Sequence, residues 1–550
     1  MNILHIYSGS IDKEIPLLKN HKVSSYNLGM GKALGPGVVN INDAKLLNKI
    51  ALKNVEIYSE FVYSQNKKFI KNQLTVGKKL SLYFLSDFSC KRSELFSTYS
   101  DYCNILLIKD YCKNNAFNKI IIEETSFEFS EALRSIIGET PLEIINLDTN
   151  KFQLSKIFFK NILFFIKVGF GVWISKCFIN RRSSQKNSKI ESLFLTRYPL
   201  HLDCNLKEDK YGKFSENKSF LVNIFTDDFH QKIGFMEFLR SLKHLSSFNK
   251  VYVLDHYLLL SDIWKSFIST FFISKGIKKL CNEKYILNDI NLSFHIKNEL
   301  LFSIMRIPRL LMWQMPIIRF FDKYEIASLY YYLHEYPYGR IFTYVVSSKF
   351  PQTRLVGFQH GPSSKRKMLY MLAKNELKPN QNSFFSFSMP DKVMAEDKYS
   401  ADIYRDSGYK NVELMKKIYR LSYLSSIKRD SIEMDTSIIA PGLHDGLLLM
   451  NILKKKILNN RDKKFILKVH PRADNRYTRK FKYLDNLSIS KEDISVLLSK
   501  VGKVYATYSS VAIEAALLKI DVEIVDLPGK INESPLYDKD FIKDIDNLKY

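Results

Sequence analysis

Short apolar runs rich in β-branched residues alternate along most of the chain with longer segments whose apolar positions recur every three or four residues. NILHIY (2–7), NKIIIEE (118–124) and PLEIINLD (141–148) predict buried strands, and VEIYSEFVY (55–63) predicts another. ESLFLTRYPLH (191–201), KSFLVNIFTDD (218–228) and KVYVLDHY (250–257) predict strands that end in polar groups. IASLYYYLHEYPYGRIFTYVVSSKF (326–350) begins as a strand and becomes a helix, and TRLVGFQHGPSS (353–364) is a strand closed by a Gly-Pro turn. From residue 388 the alternation becomes regular. MPDKVMAEDKYSADIYRDSGY is strand, helix and turn, TSIIAPGLHDGLLLMNILKKKI is strand, glycine loop and helix, KFILKVHPRAD is a strand and its end, and VGKVYATYSSVAIEAALLKIDVEIVD is strand, loop, helix and strand.

Strands that alternate with helices imply parallel α/β sheets joined by right-handed crossovers. The pattern predicts two Rossmann-like domains facing a cleft. The first covers 1–385 and carries an aromatic and basic helical insertion near 150–190, with polar RRSSQKNSK (181–189) as a linker. The second covers 386–535, and 536–550 forms a tail or short helix. In open α/β sheets ligands sit at the carboxyl ends of the strands, so the strand-end residues are where chemistry is expected.

Three strand ends stand out in the second half. APGLHDG (440–446), with Gly442 and His444, puts backbone N–H groups and a helix start where a phosphate would bind, although it matches neither GxGxxG nor a Walker loop. KVHPR places Lys468, His470, Pro471 and Arg472 where an apolar strand stops, a cluster suited to an anion. YATYSSVAIEAALL runs a strand into Tyr508, Ser509 and Ser510 at a helix start. Serine there is ordinary capping, but it also offers donors to a phosphate, with Glu514 one turn on for ribose hydroxyls. In the first half Gln359, His360 and Gly361 end a strand, just after Glu335 and Arg340. Transfer to a hydroxyl needs a base, for which Glu335 and His360 are the candidates. Asp227, Asp228, Glu123 and Glu124 are the alternatives at other strand ends.

The order of glycine loop, HPR and YSS resembles the nucleotide-binding domain of GT-B glycosyltransferases. His-Pro followed by a Ser-Ser pair is similar to the motifs of CMP-sugar-dependent sialyl-, polysialyl- and Kdo transferases of bacterial lipopolysaccharide and capsule synthesis. The resemblance covers about 385–535. It implies a GT-B fold and transfer of an acidic sugar from a CMP-sugar to a glycan or lipid-linked acceptor. His470, Ser509 and Ser510 would lie at the CMP phosphate. A UDP- or GDP-sugar transferase, or a CDP-glycerol-type polyol phosphotransferase, is the alternative within the same architecture.

Bulk properties narrow the partners. The 550 residues carry 83 Lys and Arg against 57 Asp and Glu, a formal net charge of +26, which favours anionic partners. No helix-turn-helix, RNP or zinc-finger pattern accompanies the charge, so nucleic acid is not the expected partner. The six cysteines form no CxxC pair and fit a reducing compartment. No DxD follows a strand, so no metal or other cofactor is expected and side-chain cations would meet the leaving phosphate. The start of the chain looks like a strand and not a signal peptide, and no uncharged apolar stretch is long enough to span a bilayer. In and just before 158–182, Lys156, Lys160 and Lys167 share a helical face amid Phe, Leu, Ile and Trp. That pattern fits a helix lying in an anionic membrane interface, and equally one covering a domain edge. The expected location is the cytoplasm, peripheral at the inner face of the membrane.

Overall fold

The computed structural model describes residues 1–8, 21–29, 38–77, 80–145, 154–178, 188–198, 211, 218–224, 235–332, 334–378, 383–387, 389–429, 432–470 and 473–550. Most of the expected linker, 181–187, lies outside them, as do Asp227, Asp228, Pro471 and Arg472.

Three parallel sheets organise the chain. The first contains β1 (Asn2–Tyr7), β2 (Lys22–Asn27), β3 (Val38–Asn40), β4 (Lys119–Glu123) and β5 (Leu142–Ile145), in the order β3-β2-β1-β4-β5. The second contains β6 (Ser188–Arg197), β7 (Ser219–Asn223), β8 (Val251–Val253), β9 (Tyr324–Tyr332), β10 (Arg354–Phe358), β11 (Lys392–Ala395) and β12 (Val412–Leu414), in the order β8-β7-β6-β9-β10-β11-β12. The third contains β13 (Glu433–Ala440), β14 (Lys464–Lys468), β15 (Leu487–Ser490), β16 (Val501–Ala506) and β17 (Asp521–Ile524), in the order β15-β14-β13-β16-β17. In each sheet the first strand is third from one edge and the order reverses beside it. That reversal opens a crevice at the carboxyl edge.

The central strands are apolar along their length because helices cover both faces. Ile120, Ile121 and Ile122 of β4 are all buried, as are Ile3, Leu4 and Ile6 of β1. The main helices are α1 (Ala44–Ser64), α2 (Thr98–Asn114), α3 (Leu154–Phe178), α4 (Leu260–Cys281), α5 (Ser293–Leu311), α6 (Pro337–Lys349), α7 (Gly446–Asn459) and α8 (Val511–Leu517).

VEIYSEFVY belongs to α1 and is not a strand. The Asp43 side chain caps the helix by accepting from the Leu46 amide, and Leu47, Ala51, Tyr58 and Val62 bury one helical face. The β-branched and aromatic residues therefore recur at helical spacing, and that spacing outweighs their strand propensity.

The sheets also redraw the domain boundaries. The expected domain 1–385 holds two sheets, and the expected boundary at 385/386 falls inside the second. β11 and β12 extend that sheet, with Val356 beside Lys392 and Val393 beside Val412, so the third sheet starts only at Glu433. A parallel strand buried on both faces shows an unbroken apolar run, which carries no mark of the sheet it joins. Loops from the carboxyl edges of the first and third sheets meet around one cavity. The tail's short helix Lys539–Asp544 docks back on the second unit, where Asp540 pairs with Lys365 at 3.0 Å and Phe541 meets the Tyr399 ring edge-on at 5.6 Å.

Candidate active site

In the third sheet the reversal lies between β13 and β16, and the loops that follow these strands are tied together. The Gly442 amide donates to the Thr507 hydroxyl oxygen at 3.2 Å, and that hydroxyl donates to the Asp445 carboxylate. A Cβ on Gly442 would overlap the Tyr508 ring, and one on Gly446 would overlap the Tyr477 hydroxyl. Both glycines are thus required by aromatic rings pressed against the backbone. Burial pushes the Asp445 carboxyl up, opposed by its bond to Thr507, by backbone amides and by Lys530.

The first sheet forms the opposite wall. Ser8 ends β1, Leu28 and Gly29 end β2, and segment 93–100 leads from a short helical turn, Asp87–Cys90, into α2. These residues and the third-sheet loops enclose a cavity of about 540 Å³, with His444, Asp445, Thr507, Tyr508 and Lys530 on one side and Ser93 and Glu94 on the other. Glu533 comes from the segment that bridges the two units. That segment is held on both sides. The Asn104 side chain donates to the Gly529 carbonyl at 2.9 Å and the Asn532 amide to Asn48 at 2.8 Å. Arg366, of the second unit, donates to the Asn532 carbonyl at 2.7 Å and pairs with Asp538.

Glu94 and Glu533 have opposed electrostatics. Burial pushes Glu94 up, but the Arg92 guanidinium, a backbone amide and Lys367 outweigh it and hold the carboxyl below the ordinary range. Arg92 donates to Glu94 at 2.9 Å and lies over the Tyr336 ring at 4.9 Å. It also lies 3.7 Å from the buried Asp87, which accepts from Arg306 of α5 at 2.6 Å. This alternating row of charges fixes Glu94 from behind. Glu533 is raised by burial, with the Glu94 charge adding to the effect, and Lys367, a bond from Ser93 and Arg366 only partly oppose this. Two carboxyls in one cavity whose proton affinities are pushed apart is the arrangement that acid and base chemistry uses.

The remaining residues expected from the sequence do not all join this cavity. Gly442 shapes it, and His444 and Tyr508 line it. Ser510 and Glu514 line a second, more open cavity of about 510 Å³ with Arg420, Tyr423 and Asp493. Glu514 accepts from the Tyr423 hydroxyl at 2.8 Å, while Arg420 makes two bonds to Glu396. Ser510 and Glu514 share one helical face, and that face turns away from the Thr507 and Tyr508 side. Ser509 accepts the Ala512 amide through its carbonyl in the first turn. Lys468 lies on the less buried face of β14, and its ammonium donates to the Glu492 carbonyl. The His470 carbonyl accepts the Ala473 amide at 2.9 Å, and neither Lys468 nor His470 lines the larger cavity.

Glu335 is buried in the second unit, where it accepts from the Tyr404 hydroxyl and lies 3.4 Å from His334, away from both cavities. The sequence places it at the acceptor, and its side chain lines neither cavity. A polar stretch at the start of a helix reads as exposed, but α6 is sunk against the first unit, with Arg340 donating to the Phe84 carbonyl at 3.2 Å. His360 stacks on Tyr332 at 5.6 Å and meets the edge of Tyr336, one ring away from Arg92 and Glu94. Gln359 is buried and braces the turn through Gly361, Ser400 and the Glu396 amide. Glu123 pairs with His5 at 3.0 Å. Among the described residues no three His, Cys, Asp or Glu side chains gather as metal ligands.

Glu94, Asp445, Lys530 and Glu533 were not legible as site residues. Asp445 had a local signal, its place between a strand-end glycine and a helix start. Glu94 and Glu533 had none, because only the apposition of the first and third units brings them together.

No protein-family model matches the chain, and no curated protein matches it. Among solved structures it is similar to Acinetobacter baumannii MurG, at 11% identity over 66% of this chain and 85% of that one, with a TM-score of 0.33. It is also similar to the wall teichoic acid polymerase TagF, at 12% identity over 73% and 90%, TM-score 0.28. A third likeness is to SsfS6, a glycosyltransferase of Streptomyces sp. SF2575, at 7% identity over 62% and 83%, TM-score 0.29. Scores this low fix neither family nor activity.

Proposed function

We propose that the protein is a GT-B glycosyltransferase of bacterial surface polysaccharide synthesis, in lipopolysaccharide or capsule. It transfers an acidic sugar, Kdo or a sialic-acid-like nonulosonate, from a CMP-sugar to the hydroxyl of a glycan or lipid-linked acceptor at the inner face of the cytoplasmic membrane. One observation carries the transferase reading. The carboxyl edges of two Rossmann-like sheets close on a single cavity that has carboxylates and cations on its walls. A donor nucleotide fits the β13/β16 side, where His444 and Lys530 meet its phosphate and no metal is invoked.

In this reading ionised Glu94 takes the proton of the acceptor hydroxyl. The hydroxyl oxygen forms the new bond to the anomeric carbon, the bond from that carbon to the phosphate oxygen breaks, and the nucleotide departs with the electron pair. Protonated Glu533 donates a hydrogen bond to the sugar or the phosphate. The experiment is incubation with CMP-, UDP- and GDP-sugars and CDP-glycerol, following nucleotide release. CMP release from an acidic-sugar donor supports the first reading, and no turnover of any donor sinks the transferase reading.

A second reading changes the donor, either to a UDP- or GDP-sugar with the same bond changes, or to CDP-glycerol, where the acceptor hydroxyl would attack phosphorus, glycerol phosphate would be transferred and CMP would leave. What favours it is that His470, Ser509 and Ser510, which carried the resemblance to CMP-sugar enzymes, do not line the larger cavity.

A further inference from the structure

α3 and α4 lie antiparallel, with Phe158 against Phe271 at 5.8 Å, Phe165 against Phe267 at 6.0 Å, and Gly169 beside Leu260. Their inner faces are fully engaged. Ile157, Phe165, Val168 and Val172 of α3 and Ile263, Ile273 and Ile277 of α4 are buried. Asn161 of α3 is clasped by α5, donating to the Ile304 carbonyl at 3.2 Å and accepting from Arg309 at 2.9 Å. Among the described residues the outer faces are left exposed, yet these are apolar. Ile166 is 63% exposed, Phe159 61%, Trp264 62% and Phe272 72%, and further large apolar residues flank them. An apolar surface this continuous, across two adjacent helices, marks an interaction site.

Its charge identifies the occupant. Every charged residue exposed on the two helices is a lysine: Lys156, Lys160 and Lys167 on α3, and Lys265, Lys275, Lys278 and Lys279 on α4. α3 contains no acid at all, and the one acid of α4, Asp262, is buried and paired with Arg319. Glu237, on the helix Phe235–Ser246, faces Lys167 from the side. Two copies of this face would set lysines against lysines, which disfavours self-association. Aromatic and aliphatic side chains ringed by lysines suit the boundary of an anionic bilayer, where the rings enter the acyl region and the ammonium groups reach the headgroups.

We propose that α3 and α4 together form the surface by which the protein docks on an anionic lipid bilayer. Among the described residues no helix is long and apolar enough to cross a membrane, so the contact lies in the interface. The face is built on the same α5 whose Arg306 supports the Asp87, Arg92 and Glu94 row, so one helix links the docking surface to the cavity wall. The inference rests on the transferase reading only for the purpose of docking, and vesicle binding is read without donor or turnover.

The test is flotation of the whole protein with phosphatidylcholine vesicles, with and without phosphatidylglycerol, at low and high salt. Wild type should float with the anionic vesicles, less at high salt, and poorly with phosphatidylcholine alone. Trp264→Ser with Phe272→Ser should cut binding at least tenfold while circular dichroism stays unchanged. Replacing Lys265, Lys275, Lys278 and Lys279 with glutamine should weaken binding and remove its salt dependence, leaving the residual apolar attachment. Wild-type flotation by either variant overturns the proposal. So does failure of wild type to float, including the case where sedimentation shows a dimer that Trp264→Ser with Phe272→Ser dissolves.

Discussion

Glu94 and Glu533 share one cavity but their carboxyls are pushed in opposite directions, and that difference is open to measurement. Glu94 sits below the ordinary carboxylate range and Glu533 above it. A rate that needs Glu94 ionised and Glu533 protonated falls on the acid side as Glu94 gains its proton. It falls on the alkaline side as Glu533 loses one. Glu533→Gln should keep the acid limb and lose the alkaline one, and Glu94→Gln should lower kcat by roughly 10²–10⁴-fold across the range. Unchanged alkaline limbs in Glu533→Gln would refute the assignment. Glu335 offers a contrast, because its partner is Tyr404 inside the second unit. Glu335→Gln should leave kcat near wild type while lowering stability by about 1–3 kcal/mol, read from urea melts with parallel turnover. A kcat loss as large as that of Glu94→Gln would restore Glu335 as the base. Gly442, His444 and Tyr508, singled out because each sits where an apolar strand meets a helix start, lie at the cavity. Lys468 and His470 do not line it, because strand alternation and loop direction, which decide what a strand end touches, are not written in residue types.

At the scale of elements, helix α5 is the hinge of the first half. It carries Arg306 toward Asp87, Arg309 toward α3, and Glu299 toward α2, where the Thr98 hydroxyl donates to the Glu299 carboxylate. Burial pushes Glu299 up to about 8 from an ordinary 4.5. The folded chain then keeps a proton that the unfolded chain releases once pH passes 4.5. The stabilisation is therefore whole below pH 4.5 and erodes as pH rises toward about 8. Glu299→Gln should flatten the dependence of urea-melt stability on pH across that window. A slope equal to wild type would show that Glu299 is ionised in the fold. α1 shows why elements were only partly legible. Its Val, Ile, Tyr and Phe have strand propensity, and only the Asp43 cap and the three-and-four spacing mark it as helix. β4, β13 and β16 were clear because their apolar runs are short and end in polar or turn residues.

At the scale of the molecule, the α/β class with parallel sheets was legible, and the partition into three sheets was not. Each sheet repeats one strand order, and the strands of the second read like those of the other two. Which sheets would face each other depends on contacts between chain ends, such as Asn104 with Gly529 and Asn48 with Asn532. The same contacts make the cavity, so sequence alone could give only its third-sheet wall.

The central claim is that this cavity holds the donor nucleotide against the β13/β16 loops. Calorimetric titration of CMP, UDP, GDP and CDP-glycerol into wild type, Asp445→Ala and His470→Ala tests it most directly. The account predicts that one of these binds wild type, that Asp445→Ala weakens it at least tenfold, and that His470→Ala leaves it within a factor of about two, since a residue off the site moves binding by under about 0.5 kcal/mol. Binding that survives Asp445→Ala and is lost in His470→Ala would contradict it.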